Sequence, residues 1–284
     1  MRVAALTMSY NESVWLPVWA RHYARELGAE NCLVLDHGSD DGSADGLAVP
    51  VRRLGRSPLD EVWRAALISE EVGRLLQTYD AVFHSDVDEL LVADPCHFAG
   101  LRALAEAVPV PVLTAIGLDL HHLPGEEAGL DAAARLGGQR RWVRFAASMC
   151  KPALVRRRVD WSPGFHSCDA PLVMGGLFLV HLRYADLEAG LARLRRTRAQ
   201  AVVDQAASGH QRVPDEAFAA LMTAVASLPR DACGMEPEAA PLAAWLDRVR
   251  ASRMGRENDL YKLDLGIAGD VIWPLPAELR DRLG

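Results

Sequence analysis

The chain has 284 residues, 50% apolar and 24% charged, with a formal charge of −7. That length suits one large domain, or one domain with an appendage, and no apolar run approaches the roughly 20 residues of a bilayer-spanning helix. The acidic balance speaks against a general nucleic-acid binder. Five cysteines, at positions 32, 96, 150, 168 and 233, form no Cys-x-x-Cys pair, which speaks against a disulfide framework or a zinc ribbon.

The first dozen residues hold too short an apolar stretch for a signal peptide, so a cytoplasmic protein opening on a strand at residues 3–6 is expected. Leu16, Trp19, Tyr23 and Leu27 recur at helical spacing before Gly28, predicting a helix over 14–27. Residues 32–35 read as the second strand. The loop Asp36-His-Gly-Ser-Asp-Asp-Gly-Ser43 that follows is dense in turn formers whose backbone N–H groups can face an anion. Ser57-Pro58 reads as a cap with a first-turn proline. It opens a helix whose apolar face, including Leu59, Val62, Trp63, Val72 and Leu76, lasts until Tyr79. Alternating strands and helices predict an α/β fold with a mixed, mostly parallel sheet flanked by helices.

A third strand at 81–83 leads into His84-Ser-Asp-Val-Asp-Glu89. Residues two apart in an extended segment share a face, which would turn Asp86 and Asp88 toward one hard cation with positions left for phosphate. Acidic clusters are more often solvated turns than sites. Here the acids close a buried strand, where open α/β sheets bind ligands, and Leu90, Leu91 and Val92 hold them against a core. Three clustered acids repel one another there unless a cation or donors compensate.

The order is a strand ending at Asn11-Glu12, a helix, a strand ending at Asp36, a Gly-Ser-Asp-Asp-Gly turn, a helix, then Asp86-Val-Asp-Glu89. This order resembles the nucleotide-sugar glycosyltransferases of the GT-A fold, in particular the family-2-like bacterial branch with an Asn-Glu motif near its start. The first third of the chain carries the resemblance, which then thins to Gly164-Phe-His166 and His181-Leu-Arg-Tyr184. It implies a Rossmann-like GT-A sheet, a nucleoside-diphosphate sugar as donor, and Mn²⁺ or Mg²⁺ on the sugar diphosphate. Carried over, Asp36 reads the base, with Asn11, Glu12, Gly38 and Ser39 beside it. Asp86 faces the ribose or sugar, and Asp88 holds the metal. His37 stands where such enzymes often have Asn or Asp, which leaves the choice of base open. A late histidine completes the metal shell in several of them, pointing to His181 after the apolar run at 177–180, with His166 in the 161–167 loop as the other candidate.

Sugar transfer needs its departing diphosphate neutralised. Arg140, Arg141, Arg144, Lys151, Arg156, Arg157 and Arg158 cluster within nineteen positions. Surface arginines usually snorkel, so Lys151 is singled out to reach the donor. Displacement at the anomeric carbon also needs a base, for which Asp119, Asp169, Glu89 and Glu126 are candidates, and the resemblance implies inversion. The expected activity is metal-dependent transfer of a sugar to a carbohydrate or other hydroxyl acceptor. His84-x-Asp86-x-Asp88 with distant histidines keeps a metal-dependent phosphohydrolase or nucleotidyltransferase as the alternative, and a binding module without turnover is the third reading.

Beyond Tyr184 the pattern favours helices at 187–207, 215–228 and 241–253, separated by Gly and Pro breaks. That divides the chain into a catalytic domain at 1–184 and a helical appendage at 185–284, capping the acceptor site or forming a homodimer contact. The proline-interrupted apolar segment at 271–276 is expected to pack onto the body.

Overall fold

The computed structural model describes residues 1–203, 212–231, 238–252, 256–257 and 259–284. Strand β1 (Val3–Ser9) is buried along its whole length, as a central strand covered on both faces must be. Helix α1 (Trp15–Leu27) buries Leu16, Trp19, Tyr23 and Leu27, the stripe its spacing predicts. After β2 (Cys32–Asp36) and β3 (Val51–Arg53) comes α2 (Glu61–Leu75). Its cap is Asp60, whose carboxylate accepts from the N–H groups of Val62 and Trp63, so the expected Ser57-Pro58 start lies outside the helix. Val62 and Trp63, expected on its apolar face, are exposed in its first turn.

Strands β4 (Ala81–His84) and β5 (Glu89–Ala93), helix α3 (Leu101–Ala107) and the long β6 (Val112–His121) follow, then β7 (Trp142–Phe145), β8 (Pro152–Val155) and β9 (Met174–His181). The remainder holds α4 (Leu187–Ala199), α5 (Asp215–Ala226), α6 (Leu242–Ala251), the small ribbon β10 (Arg256–Glu257) with β11 (Leu260–Tyr261), then β12 (Trp273–Pro274) and α7 (Ala277–Arg280). Parts of the expected helices at 187–207 and 241–253, and Cys233, lie outside the described residues. Cys32, Cys150 and Cys168 are buried free thiols.

The sheet runs β12-β7-β6-β8-β4-β1-β2-β3, with β9 pairing β5 and β6. The half formed by β4-β1-β2-β3 is parallel, and the remainder is antiparallel apart from the parallel β6–β9 pair. This is the mixed α/β sheet flanked by helices that the alternating pattern predicts. The C-terminal stretch shares the core of the body. Trp245 of α6 stacks on Phe145 of β7 and on Trp273, and β12 joins the sheet edge against β7. Among the described residues, no helix is long and apolar enough to cross a membrane.

Candidate functional site

A cleft of about 590 Å³ opens over the carboxyl ends of β1, β2 and β4, the edge where α/β sheets expose their strand-end loops. The fold aims the acidic segment into it through α1. The indole N–H of Trp19 donates to Ser85 Oγ at 2.9 Å, and the Tyr23 hydroxyl lies 2.9 Å from the same oxygen while accepting from Leu91 N–H at 3.0 Å. Two residues of one helical stripe thus grip both sides of the Asp86–Glu89 segment.

That segment is a tight turn rather than extended chain, closed by a bond from Glu89 N–H to the Asp86 carbonyl at 3.0 Å. Asp86 and Asp88 therefore lack the shared face of a strand, although both line the cleft. Asp86 is claimed by protein cations on both oxygens: Arg64 of α2 on Oδ1, and Lys151 Nζ on Oδ2 at 2.9 Å. Burial opposes its charge, but Arg64 and Lys151 outweigh burial and hold it well below the usual carboxylate range. Arg64 is held in turn by the Phe165 ring under its guanidinium. Lys151 also donates to Glu89 Oε1 at 2.6 Å, and Glu89 Oε2 accepts from Asp86 N–H at 2.9 Å. Burial pushes Glu89 upward against the pull of Lys151.

Strand pairing assembles the other half of the site. Register sets His181 of β9 opposite Glu89 of β5 on one side and Asp119 of β6 on the other. Leu182 N–H bonds the Asp88 carbonyl at 2.8 Å, bringing Asp88 to the end of β9. The His181 imidazole then spans two carboxylates, with Nδ1 2.7 Å from Asp119 Oδ1 and Nε2 3.2 Å from Asp88 Oδ2. Burial disfavours its charge, but hydrogen bonds to Asp119 and Asp88 raise it to about 9, so it donates to both at neutral pH. Asp88 is lowered against burial by Arg193 first and His181 next. Arg193, from α4, also donates through Nε to Glu12 Oε1 at 2.7 Å, and Arg196 sits 2.9 Å from Glu12 Oε2.

Of the expected donor residues Glu12 lines the cleft, and of the loop at 36–43 only His37 does, while Asn11, Asp36, Gly38 and Ser39 lie beside it. Asp36 is fully buried, accepting from Ser39 N–H and from Arg53, each at 3.1 Å. Asn11 takes the left-handed conformation at φ 52°, tolerable for its short polar side chain. It exchanges two hydrogen bonds with Asp40 and donates its N–H to Ser39 Oγ. Gly38, at φ +75°, packs so closely that a Cβ would meet Arg56 at 2.9 Å. Asn11, Asp36, Gly38 and Ser39 thus form a self-satisfied clamp between the ends of β1 and β2. Tyr10, His37 and Arg56 present the actual surface, with the Arg56 guanidinium 3.5 Å from the Tyr10 ring centre.

Other expectations are corrected. Asp169 pairs with Arg157 at 2.8 Å away from the cleft, and Glu126 pairs with Arg230 at the surface, so neither reaches the site as a base. His84 points into the core between Trp161 and Phe165, where burial lowers it to about 3, so it adds nothing to an His84-x-Asp86-x-Asp88 ligand set. His166 lines the cleft on a separate loop, its Nδ1 donating to the Ser148 carbonyl at 2.7 Å. Of the seven clustered basic residues only Lys151 lines the cleft, while Arg140 is buried against Asp186 at 3.1 Å. Sequence reading missed Arg64 and Arg193. The one signal that could have found them was helical spacing, which puts both on helix faces turned to the strand ends.

The metal quartet Asp86, Asp88, His181 and His166 does not converge. Among the described residues, no group of three or more His, Cys, Asp or Glu side chains is arranged to hold a metal ion. What remains is a donor pair, Asp88 and His181, with Asp119 bonded behind the ring as carboxylates stand behind metal-binding histidines. A carboxylate and an imidazole are both donor types that a divalent cation accepts.

No protein-family model matches the sequence, and comparison with the curated proteins finds no match. Among solved structures it is similar to mannose-1-phosphate geranyltransferase from Thermus thermophilus, at 14% identity and a TM-score of 0.29. The likeness covers 78% of this chain and 65% of that one, just under two thirds. A likeness so remote carries no argument about activity.

Proposed function

We propose that this protein is a metal-dependent glycosyltransferase of GT-A type, moving a sugar from a nucleoside diphosphate to a hydroxyl acceptor with inversion. The observation that carries the reading is the meeting of Asp88 from the turn before β5, Asp119 from β6 and His181 from β9 in a cleft rimmed by Arg64, Lys151 and Arg193. Acids and cations crowded over strand ends suit a ligand that brings both phosphates and a metal. Asp88 and His181 would hold Mn²⁺ or Mg²⁺, which would supply positive charge where the leaving diphosphate gains negative charge. Lys151 and the arginines add fixed positive charge to the same wall.

In the transfer, the acceptor oxygen bonds to the anomeric carbon as the bond from that carbon to the diphosphate oxygen breaks. The hydroxyl proton passes to Asp119. Its Oδ1 orients His181, and its Oδ2 makes no hydrogen bond among the described residues. Glu89 is a poorer base because both its oxygens are occupied by Lys151 and a backbone N–H. The nucleobase is assigned to the Tyr10, His37 and Arg56 rim rather than to Asp36.

The test is a thermal shift with uridine, guanosine, adenosine and thymidine diphosphates, each with Mn²⁺. At least one should raise the melting temperature, and Asp88→Ala should lose the shift. A shift that survives the substitution removes the metal from Asp88. Product analysis with the matching sugar donors separates transfer from the alternative, since phosphate or pyrophosphate release without a glycosylated product would favour the phosphohydrolase or nucleotidyltransferase.

A further inference from the structure

Arg193 holds the very oxygen that a cation at Asp88 would use. Its Nη1 lies on Asp88 Oδ2, which His181 Nε2 also faces at 3.2 Å, while its Nε remains on Glu12 at 2.7 Å. The helix beneath it is fixed at both ends. Asp186 caps α4 through Ala189 N–H at 2.9 Å and is itself held by Arg140. In the first turn, Gly190 packs so tightly that a Cβ would meet Phe218 at 2.6 Å and the Arg183 carbonyl at 2.9 Å. Past its other end, Leu59 N–H bonds the Ala201 carbonyl and Val203 N–H returns to the Leu59 carbonyl. Leaving Asp88 is therefore a movement of the Arg193 side chain alone. That side chain is 24% exposed, enough to reach a ligand in the cleft.

We infer that Arg193 is an exchangeable counter-ion: it neutralises Asp88 in the absence of donor and transfers to the diphosphate when donor binds, releasing the carboxylate to the cation. The inference rests on the metal-dependent reading above. It makes cation and diphosphate binding mutually favourable through a protein side chain, in addition to their direct attraction. Arginine suits the part, because its planar fork binds carboxylate and phosphate with the same geometry. Arg196 provides an internal control, since it pairs with Glu12 and not with Asp88.

The experiment is calorimetric titration of Mn²⁺ alone into wild type, Arg193→Gln, Arg193→Ala and Arg196→Ala, with folding checked by circular dichroism. Both Arg193 variants should bind Mn²⁺ about tenfold more tightly than wild type, the lower bound for a charged hydrogen bond. Arg196→Ala should stay within about twofold of wild type. Unchanged, weaker or undetectable binding in both Arg193 variants overturns the exchange, as does equal tightening in Arg196→Ala, which would reflect general loss of positive charge. Adding Asp88→Ala to Arg193→Gln tests the underlying assignment separately. Tight binding that survives the double substitution places the cation elsewhere and sinks the metal reading itself.

Discussion

Strands β2 and β4 flank β1, and an acid closes or follows each: Asp36 ends β2, and Asp88 lies in the turn after β4. Their surroundings differ in kind. Asp36 is satisfied by neighbours three and seventeen residues away, Ser39 and Arg53, and is sealed from the cleft. Asp88 is satisfied by His181 and Arg193, 93 and 105 residues away, and stands in the cleft wall. An acid completed by its own loop shapes that loop. An acid completed by remote charged side chains in a cleft wall has partners within reach of a ligand, which is the basis of the exchange proposed for Arg193.

Four substitutions would sharpen or break that contrast. On the remote side, Asp119→Asn should lower turnover by about 10²–10⁴-fold, the range for a lost general base, while keeping the nucleotide-and-Mn²⁺ thermal shift because Asn Oδ1 can still accept from His181. Turnover close to wild type would take Asp119 out of the proton path. Lys151→Ala strands the buried Asp86 and Glu89, and urea unfolding should report a loss of about 3–5 kcal/mol at unchanged m.

The pH dependence of stability tests His181. In the unfolded chain the ring titrates near 6.5, and in the fold it is raised to about 9. Its contribution, about 3 kcal/mol, is complete below pH 6.5 and is lost as pH rises through about 9. His181→Gln should flatten that alkaline slope in denaturant melts at pH 6, 8 and 10. Asp88, lowered in the fold, works in the opposite sense and loses its contribution on acidification. The smallest effect belongs to the local side. Asp36→Asn keeps the Ser39 bond and loses only the charge pair with the half-exposed Arg53, so it should cost about 1 kcal/mol and leave nucleotide affinity unaltered. A clear loss of affinity would return Asp36 to the role the resemblance gave it.

Much of the framework is legible in the sequence because it is periodic or local. Trp19 and Tyr23 announce α1 by spacing alone, and residues 81–83 announce a buried strand before the acids. The start of α2 is not legible in the same way, since Ser57-Pro58 and Asp60 all have capping chemistry and only the geometry selects Asp60. The Asp86–Glu89 segment reads as extended in sequence, and its turn becomes visible only through the Glu89 to Asp86 bond. Asp169 and Glu126 look as eligible as Asp119, because composition does not tell a carboxylate facing a cleft from one paired at the surface.

By itself the sequence determined the α/β alternation, the place of the acids after a central strand, and Lys151 as the basic residue to watch. These are short-range properties, fixed by side-chain period and by which residues tolerate a turn. Only the tertiary structure decided which charges meet. His181 joins Asp119 and Asp88 through strand register, and Arg193 reaches Asp88 because α4 lines the cleft. Ion pairing depends on distance in space, and separation along the chain carries almost no information about it.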